Sequence, residues 1–405
     1  MDGRQLRGME IARMGGLKET PRGWIVPAQG GTGSYNVRYM NGKYTCDCPD
    51  CQTRGVTCKH QFAVFYTIQK KVTLKKTIDK KGNTTTTKTT KITYSQKWKS
   101  YNKAQTSEIE LFDVLLRDLV NSIEETSQRM GRPRLSMRDS LFCSVQKVYS
   151  QLSSRRAYTL YKNAKGREQI GHAPNFNAVG RLLNKEEITP ILHELLTLSA
   201  LPLKAIESTF ASDSSGFRTS SFEQYPIYKY GNEKVHRWLK AHIIVGTKTN
   251  VIASARVTEG EASDMPQFKP LVMDAHSNGF EIKEIYADKG YSSRMNHDVA
   301  NEIGATAYIP FRSNATGKMR GSSSWWRAYH YFQLNKDEFM KHYHQRSNVE
   351  TAFMMIKTKF GDKLKSKNTI AQKNELLCKL IAHNICVLIF EMHELGIKPD
   401  FNNLT

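Results

Sequence analysis

Between residues 205 and 395 the sequence alternates strand-like apolar runs with helical patterns, and this order restricts the fold more than any other feature. The runs fall at 205–211, 238–245, 251–257, 282–287 and 306–311. Helical periodicity separates or follows them at 264–278, 292–304, 338–360 and 371–395. Three strands in succession favour an antiparallel start, whereas the later alternation favours parallel additions. The expected fold class is α/β, a mixed sheet flanked by helices.

Upstream, at 104–200, apolar residues recur at helical spacing. Ile109, Phe112, Leu115, Leu116, Leu119 and Ile123 form one stripe, and Leu141, Val145, Val148 and Leu152 another. The stretch Gly131-Arg132-Pro133-Arg134 between them resembles a minor-groove hook, as do many ordinary basic turns. Arg132 and Arg134 are candidate DNA contacts on the first of these readings. Residues 69–103 read as a linker, with eleven lysines, one acid (Asp79) and the run TTTTKTTK between 70 and 103. Such a tract buries no apolar face and is expected to be flexible, either grazing DNA or acting as a plain tether.

Charge points to the class of partner. The chain carries 60 Lys and Arg against 38 Asp and Glu, a net charge of +22, which calls for a polyanion, with nucleic acid first. The longest apolar run near the C-terminus, 385–390, is far short of the roughly 20 residues that span a bilayer. The opening MDGRQLRGMEIARMGG has no apolar core of the secretory kind. The expectation is a cytoplasmic protein without membrane contact, associated with nucleoid DNA. A hydrophobic share of 39% argues against wholesale disorder.

Four of the seven cysteines lie within YTCDCPDCQTRGVTCKH, in residues 1–68. Clustered thiols in a reducing compartment read as metal ligands before disulfides. Cys46-x-Cys48 followed by Cys58-x-His60 supplies three thiolates and an imidazole, a closed tetrahedral set suited to structural Zn²⁺. The pattern resembles the SWIM zinc finger, and a small ββα module is expected. Cys51 is surplus: it is either an alternative ligand or a buried thiol. Such a finger serves either DNA or protein docking.

Three acids carry the candidate chemistry. Asp213, in FASDSSGF, is expected at the exposed end of an apolar strand, as is Asp288 in EIYADKGYSS. Glu350, in YHQRSNVETAFMMIK, shares a helical face with Tyr343, Arg346 and Lys357, beside the apolar stripe Val349, Phe353 and Ile356. Converging carboxylates repel unless cations neutralise them, and hard oxygen ligands favour Mg²⁺ or Mn²⁺. Two such ions can activate an attacking oxygen and stabilise a leaving one at phosphorus.

Asp213, Asp288 and the Tyr-x2-Arg-x3-Glu-x6-Lys pattern of Tyr343, Arg346, Glu350 and Lys357 resemble the DDE transposases of bacterial and archaeal insertion sequences. WLKAHIIVGTKTN, TEGEASDMPQFKPL, IPFRSNATGK, HNICVLI, YNKAQTSEIELF and GRPRLSMRDSLF resemble the same family, so the likeness runs from about residue 98 to near the C-terminus. The resemblance implies a ribonuclease H-like catalytic domain at 201–395 with the triad Asp213, Asp288 and Glu350 holding two Mg²⁺ or Mn²⁺ ions. The domain follows a helical DNA-binding region at 104–200 and precedes a tail at 396–405. It further implies Arg346 and Lys357 against DNA near the cleaved end. Tyr343 either meets a terminal nucleotide or packs on a neighbouring element. The implied partners are double-stranded DNA, as terminal inverted repeats and target, and a second copy of the chain in a homodimer or higher oligomer. A catalytically inactive DNA-binding descendant and a structure-specific ribonuclease H-like nuclease are the competing readings.

Overall fold

The computed structural model describes residues 3–20, 23–29, 33–40, 43–68, 70–78, 84–92, 97–125, 135–219 and 238–401. They divide into two compact units, 1–97 and 98–405. Arg132 and Arg134 lie outside the described residues.

The smaller unit begins with α1 (Gly3–Met14), followed by β1 (Lys18–Thr20), β2 (Gly23–Pro27), β3 (Ser34–Met40) and β4 (Lys43–Cys46). These strands pair in sequence order as an antiparallel sheet. Two helices follow, α2 (Pro49–Arg54) and α3 (Lys59–Ile68). Val26 and Val37 of the sheet meet Ile11 of α1 and Ala63 and Val64 of α3 in a small buried core. Helices α1 and α3 touch at Gly8, where a Cβ would stand 2.5 Å from Phe62 Cβ and 2.7 Å from the Lys59 carbonyl. The unit is therefore larger than the expected ββα module, with four strands and a preceding helix.

The Lys/Thr tract departs from the linker expectation. β5 (Lys70–Ile78) and β6 (Thr84–Ile92) form an antiparallel two-stranded sheet. The physical reason is β-branching: threonine fills most of β6, and its stiff side chain favours extended backbone. The following helix also starts earlier than residue 104.

In the larger unit that helix is α4 (Trp98–Asn121), and α5 (Met137–Ser150), α6 (Ser154–Gly166), α7 (Phe176–Leu183) and α8 (Ile188–Ala200) complete the helical part. The sheet comprises β7 (Thr209–Arg218), β8 (Trp238–Gly246), β9 (Ile252–Glu259), β10 (Glu284–Ala287) and β11 (Thr306–Tyr308). Helix α9 (Phe268–Ser277) precedes β10 and α10 (Arg294–Glu302) precedes β11. The chain ends in α11 (Ser323–Leu334), α12 (Lys336–Tyr343), α13 (Ser347–Phe360) and α14 (Thr369–Glu394).

Strand order is β11-β10-β7-β8-β9. β7, β8 and β9 pair antiparallel, whereas β10 joins β7 and β11 joins β10 in parallel, giving the mixed sheet expected from the run order. Helix α14 packs against α4, α5 and α8, and helices and sheet share one continuous hydrophobic core. The boundary expected near residue 200 thus falls inside a core. α14 is long and apolar enough to cross a membrane by length and composition, but most of its apolar window is buried within the protein.

Candidate active site and metal centre

The strand carrying Asp213 differs from its expectation. β7 starts at Thr209 and continues to Arg218, so Asp213 lies inside it, paired with Ile243 of β8. Its polar stretch Asp213-Ser214-Ser215 remains extended because β8 pairs with it residue for residue as far as Trp238↔Arg218. The parallel partner β10 is shorter. It ends with Ala287 opposite Ser212, and the next residue, Asp288, falls alongside Asp213. One acid from mid-strand and one from a strand end are thereby neighbours.

Asp213, Ser215 and Phe217 alternate onto one face of β7, and α13 covers it. Lys357 of α13 donates to Ser215 Oγ at 2.7 Å, and its ammonium lies 5.2 Å from the Phe217 ring centre. Val349, Phe353 and Ile356 are buried, as the apolar stripe requires. The single helix expected at 338–360 is instead α12, a 3-10 turn (His344–Arg346) and α13. Tyr343 therefore ends one helix while Glu350 lies in the first turn of the next.

Arg346 occupies the turn and joins the acids. Its Nη1 donates to Asp213 Oδ2 at 2.8 Å, and its Nη2 donates to Glu350. Tyr343 lies 5.9 Å beneath the guanidinium. Burial pushes the Asp213 carboxyl above its ordinary range against the Ser214 amide and Arg346, and the charges of Asp288 and Asp264 add to the rise. Burial alone would lower Arg346, but Tyr343, Asp213 and Glu350 outweigh it and hold the guanidinium above its usual value. Lys357 is lowered by burial.

Among the described residues, the three acids do not close into a tight cluster of ligand atoms; Arg346 is the cation between Asp213 and Glu350. Three hard carboxylate oxygens on a rigid sheet and helix nonetheless suit a divalent cation.

Asp264 is a fourth acid at the site, unanticipated from the sequence. It accepts from Ser214 Oγ at 2.9 Å and from Lys240 Nζ at 2.8 Å, with His242 Nδ1 3.4 Å away. Tyr291, with its phenol raised by burial, feels the charges of Asp213 and Asp264. A signal existed: Lys240 and His242 stand two apart in the otherwise apolar strand β8, and polar groups facing one way in a buried strand require a partner. Of the tryptophans, Trp325 is buried, donating to the Thr316 carbonyl at 2.9 Å, whereas Trp326 and Trp238 are partly exposed.

In the small unit, β4 delivers Cys46, the turn before α2 delivers Cys48, and the start of α3 brings Cys58 and His60. One ligand atom from each lies within 4.8 Å of all the others, and all four residues are buried. His60 Nδ1 faces Cys46 Sγ at 3.8 Å and Cys58 Sγ at 3.9 Å, and the Tyr35 ring packs on the imidazole at 4.4 Å. The hydrogen bond from Cys46 holds the Cys58 thiol well below its ordinary value against burial, with His60 and the Gln61 contact assisting. Soft thiolates with one imidazole, tightly grouped and dry, fit a metal. Cys51 is outside the group, half-buried on α2, its thiol 3.7 Å from Gln61 Oε1.

A solved structure, the cryo-EM structure of the piggyBac transposase synaptic complex with hairpin DNA, aligns over 72% of this chain and 79% of its own, at 12% identity and a TM-score of 0.35. The family comparison is more specific: residues 204–385 match the family model described as "Transposase DDE domain". The matched segment holds Asp213, Asp288, Arg346, Glu350 and Lys357, and the match supports a DNA transposase.

Proposed function

We propose that the protein is a DDE transposase that binds transposon ends and catalyses divalent-metal-dependent cleavage and strand transfer on a ribonuclease H-like domain. The observation that carries this reading is the register that sets Asp288 beside Asp213, with Arg346 linking Asp213 to Glu350 across the sheet–helix junction. Asp213, Asp288 and Glu350 are the residues that would hold two Mg²⁺ or Mn²⁺ ions. Those ions, when bound, supply activation of the attacking oxygen and stabilisation of the leaving 3′ oxygen.

The chain's own residues do the rest. Asp213 is fixed by strand pairing and Asp288 directly follows a paired strand, so their relative position costs little reorganisation when DNA arrives. Arg346 presents a planar fork next to the acids, suited to a phosphate of the cleaved end, and Lys357, bonded to Ser215 two residues along β7 from Asp213, adds a point charge. Tyr343, beneath Arg346, orients that guanidinium. Cys46, Cys48, Cys58 and His60 would hold a structural Zn²⁺ that supports the SWIM-like unit. Joining two ends calls for at least a dimer on duplex DNA, acting in the cytoplasm on the nucleoid.

Transposition in cells tests the reading. A selectable marker is placed between the DNA segments that flank the gene, and the protein is supplied in trans. Insertions with paired end sequences and short target duplications are expected. Cutting of branched DNA without any preference for those ends would instead assign a structure-specific nuclease, and end binding without insertion an inactive descendant.

A further inference from the structure

The segment between α13 and α14 is held by an arrangement the catalytic reading does not use. Three buried side chains on one face of α14, Gln372, Glu375 and Lys379, are spent on its backbone. Glu375 accepts from the amides of Lys365 at 2.8 Å and Ser366 at 2.7 Å. Lys379 Nζ donates to the carbonyls of Gly361 and Lys363, both at 2.8 Å. Gln372 Nε2 donates to the Ser366 carbonyl at 3.0 Å. The near end also pairs with the strand of Asp213: Arg218 N donates to the Asp362 carbonyl at 3.0 Å and Leu364 N to the Arg218 carbonyl at 2.8 Å. Buried charges are costly unless satisfied, yet here two of them fix the path of a short connection.

The clamping decides which side chains face outward. Leu364 is buried, while Lys363, Lys365 and Lys367, at alternate positions, are exposed. The local acids are engaged elsewhere, Asp362 with Arg218 and Glu375 with the backbone. Three cations are thereby displayed on one short connection whose backbone is held by hydrogen bonds. The connection follows α13, so it begins roughly 15 Å from Glu350. That is about four to five base-pair steps of B-DNA from the reacting phosphate. Lys365 reaches Gln151 at the end of α5. There the basic surface continues into α6, where Arg155, Arg156, Lys162 and Lys165 are exposed.

We propose that residues 361–367 form a preorganised lysine comb that grips the backbone of duplex DNA a few base pairs from the site of cleavage. The choice of duplex DNA as the polyanion rests on the function proposed above; the comb itself rests on the clamped backbone and the alternating lysines. Because the platform is already ordered, little conformational entropy is lost on binding. Contacts of this kind are sequence-independent and released by salt.

The test uses the full chain and a labelled duplex of about 30 base pairs, titrated by fluorescence anisotropy over a series of NaCl concentrations. The double variant Lys363→Gln/Lys367→Gln leaves the Lys365 contact intact. It should lower the slope of log affinity against log salt by about 2 and weaken binding at least about tenfold at low salt. A charge-matched control, Lys269→Gln/Lys283→Gln, should change the slope by less than half as much. An unchanged slope in the first variant, an equal loss in the control, or loss of single-stranded RNA binding with duplex binding intact would overturn the comb. Wild-type cleavage of DNA alongside an unchanged variant slope removes the comb and leaves the proposed function standing. Comb-dependent duplex binding without metal-dependent cleavage does the reverse.

Discussion

Arg346 donates to Asp213 at 2.8 Å and, through its other terminal nitrogen, to Glu350 one turn further along its own helical segment. One guanidinium thus ties a strand acid to a helix acid. Arg346→Lys keeps the charge but loses the fork that serves both partners. Single-turnover nicking by this variant should fall about 10²-fold, in the range seen when one preorganised donor is removed from an active site. Wild-type rates would show that the fork has no part in the reaction.

The sheet and the place of Asp288 at a strand end were legible because their signals are local. Apolar runs marked the strands, and Asp288 followed its run at once. The extent of β7 was hidden, since Asp213-Ser214-Ser215 stays extended through pairing with β8, a long-range effect that no local pattern carries. Asp264 was hidden for the same reason: it reaches Ser214 and Lys240 from a separate loop. The pairing of 70–78 with 84–92 was hidden because a Lys/Thr tract lacks the apolar alternation that marks a strand, and only β-branching favours it. The boundary near residue 200 vanished because α14, at the far end of the chain, packs on α4, α5 and α8 and fuses both halves into one core.

Loss of Zn²⁺ should leave the fold of the larger unit intact and unfold the small one. Its core is a handful of side chains around Val26, Val37 and the cysteines, so ligation should supply much of its folding free energy, on the order of 10 kcal/mol. Chelation, or Cys58→Ser, should expose α1, α3 and the β1–β4 sheet to protease while helices α4–α8 and the β7–β11 sheet stay resistant, and the intact protein should hold one Zn²⁺ by elemental analysis. A protease-resistant small unit after complete chelation would refute a structural metal.

Acid should destabilise the larger unit through its histidines. His242, His297 and His383 are buried, and burial pushes each down to about 4 from an ordinary 6.5. A folded value below the unfolded one means that stability is fully present above 6.5 and lost as pH falls toward 4. Three protons taken up on unfolding give a slope of roughly 4 kcal/mol per pH unit at its steepest. Urea midpoints at pH 7.5, 6 and 5 should decline steadily. A midpoint that is flat across this window would contradict neutral burial of these rings.

The clamp on the lysine comb has a signature independent of DNA. Glu375→Gln retains one acceptor where the carboxylate offered two, so the amides of Lys365 and Ser366 cannot both stay bonded to it. Hydrogen exchange at one or both should accelerate at least about tenfold, with the amides of β8 unchanged. Equal protection in the variant would mean that other contacts hold the segment.

The central claim is that Asp213, Asp288 and Glu350 act together through divalent metal on DNA. Its most direct measurement is the nicking rate of a duplex carrying the DNA that flanks the gene, with Mg²⁺ or Mn²⁺, for the wild type and for Asp288→Asn. The wild type should nick with either ion and stop with a chelator, and Asp288→Asn should lose at least about 10³-fold while binding the duplex as tightly. Asp288→Asn cutting at the wild-type rate would contradict the account.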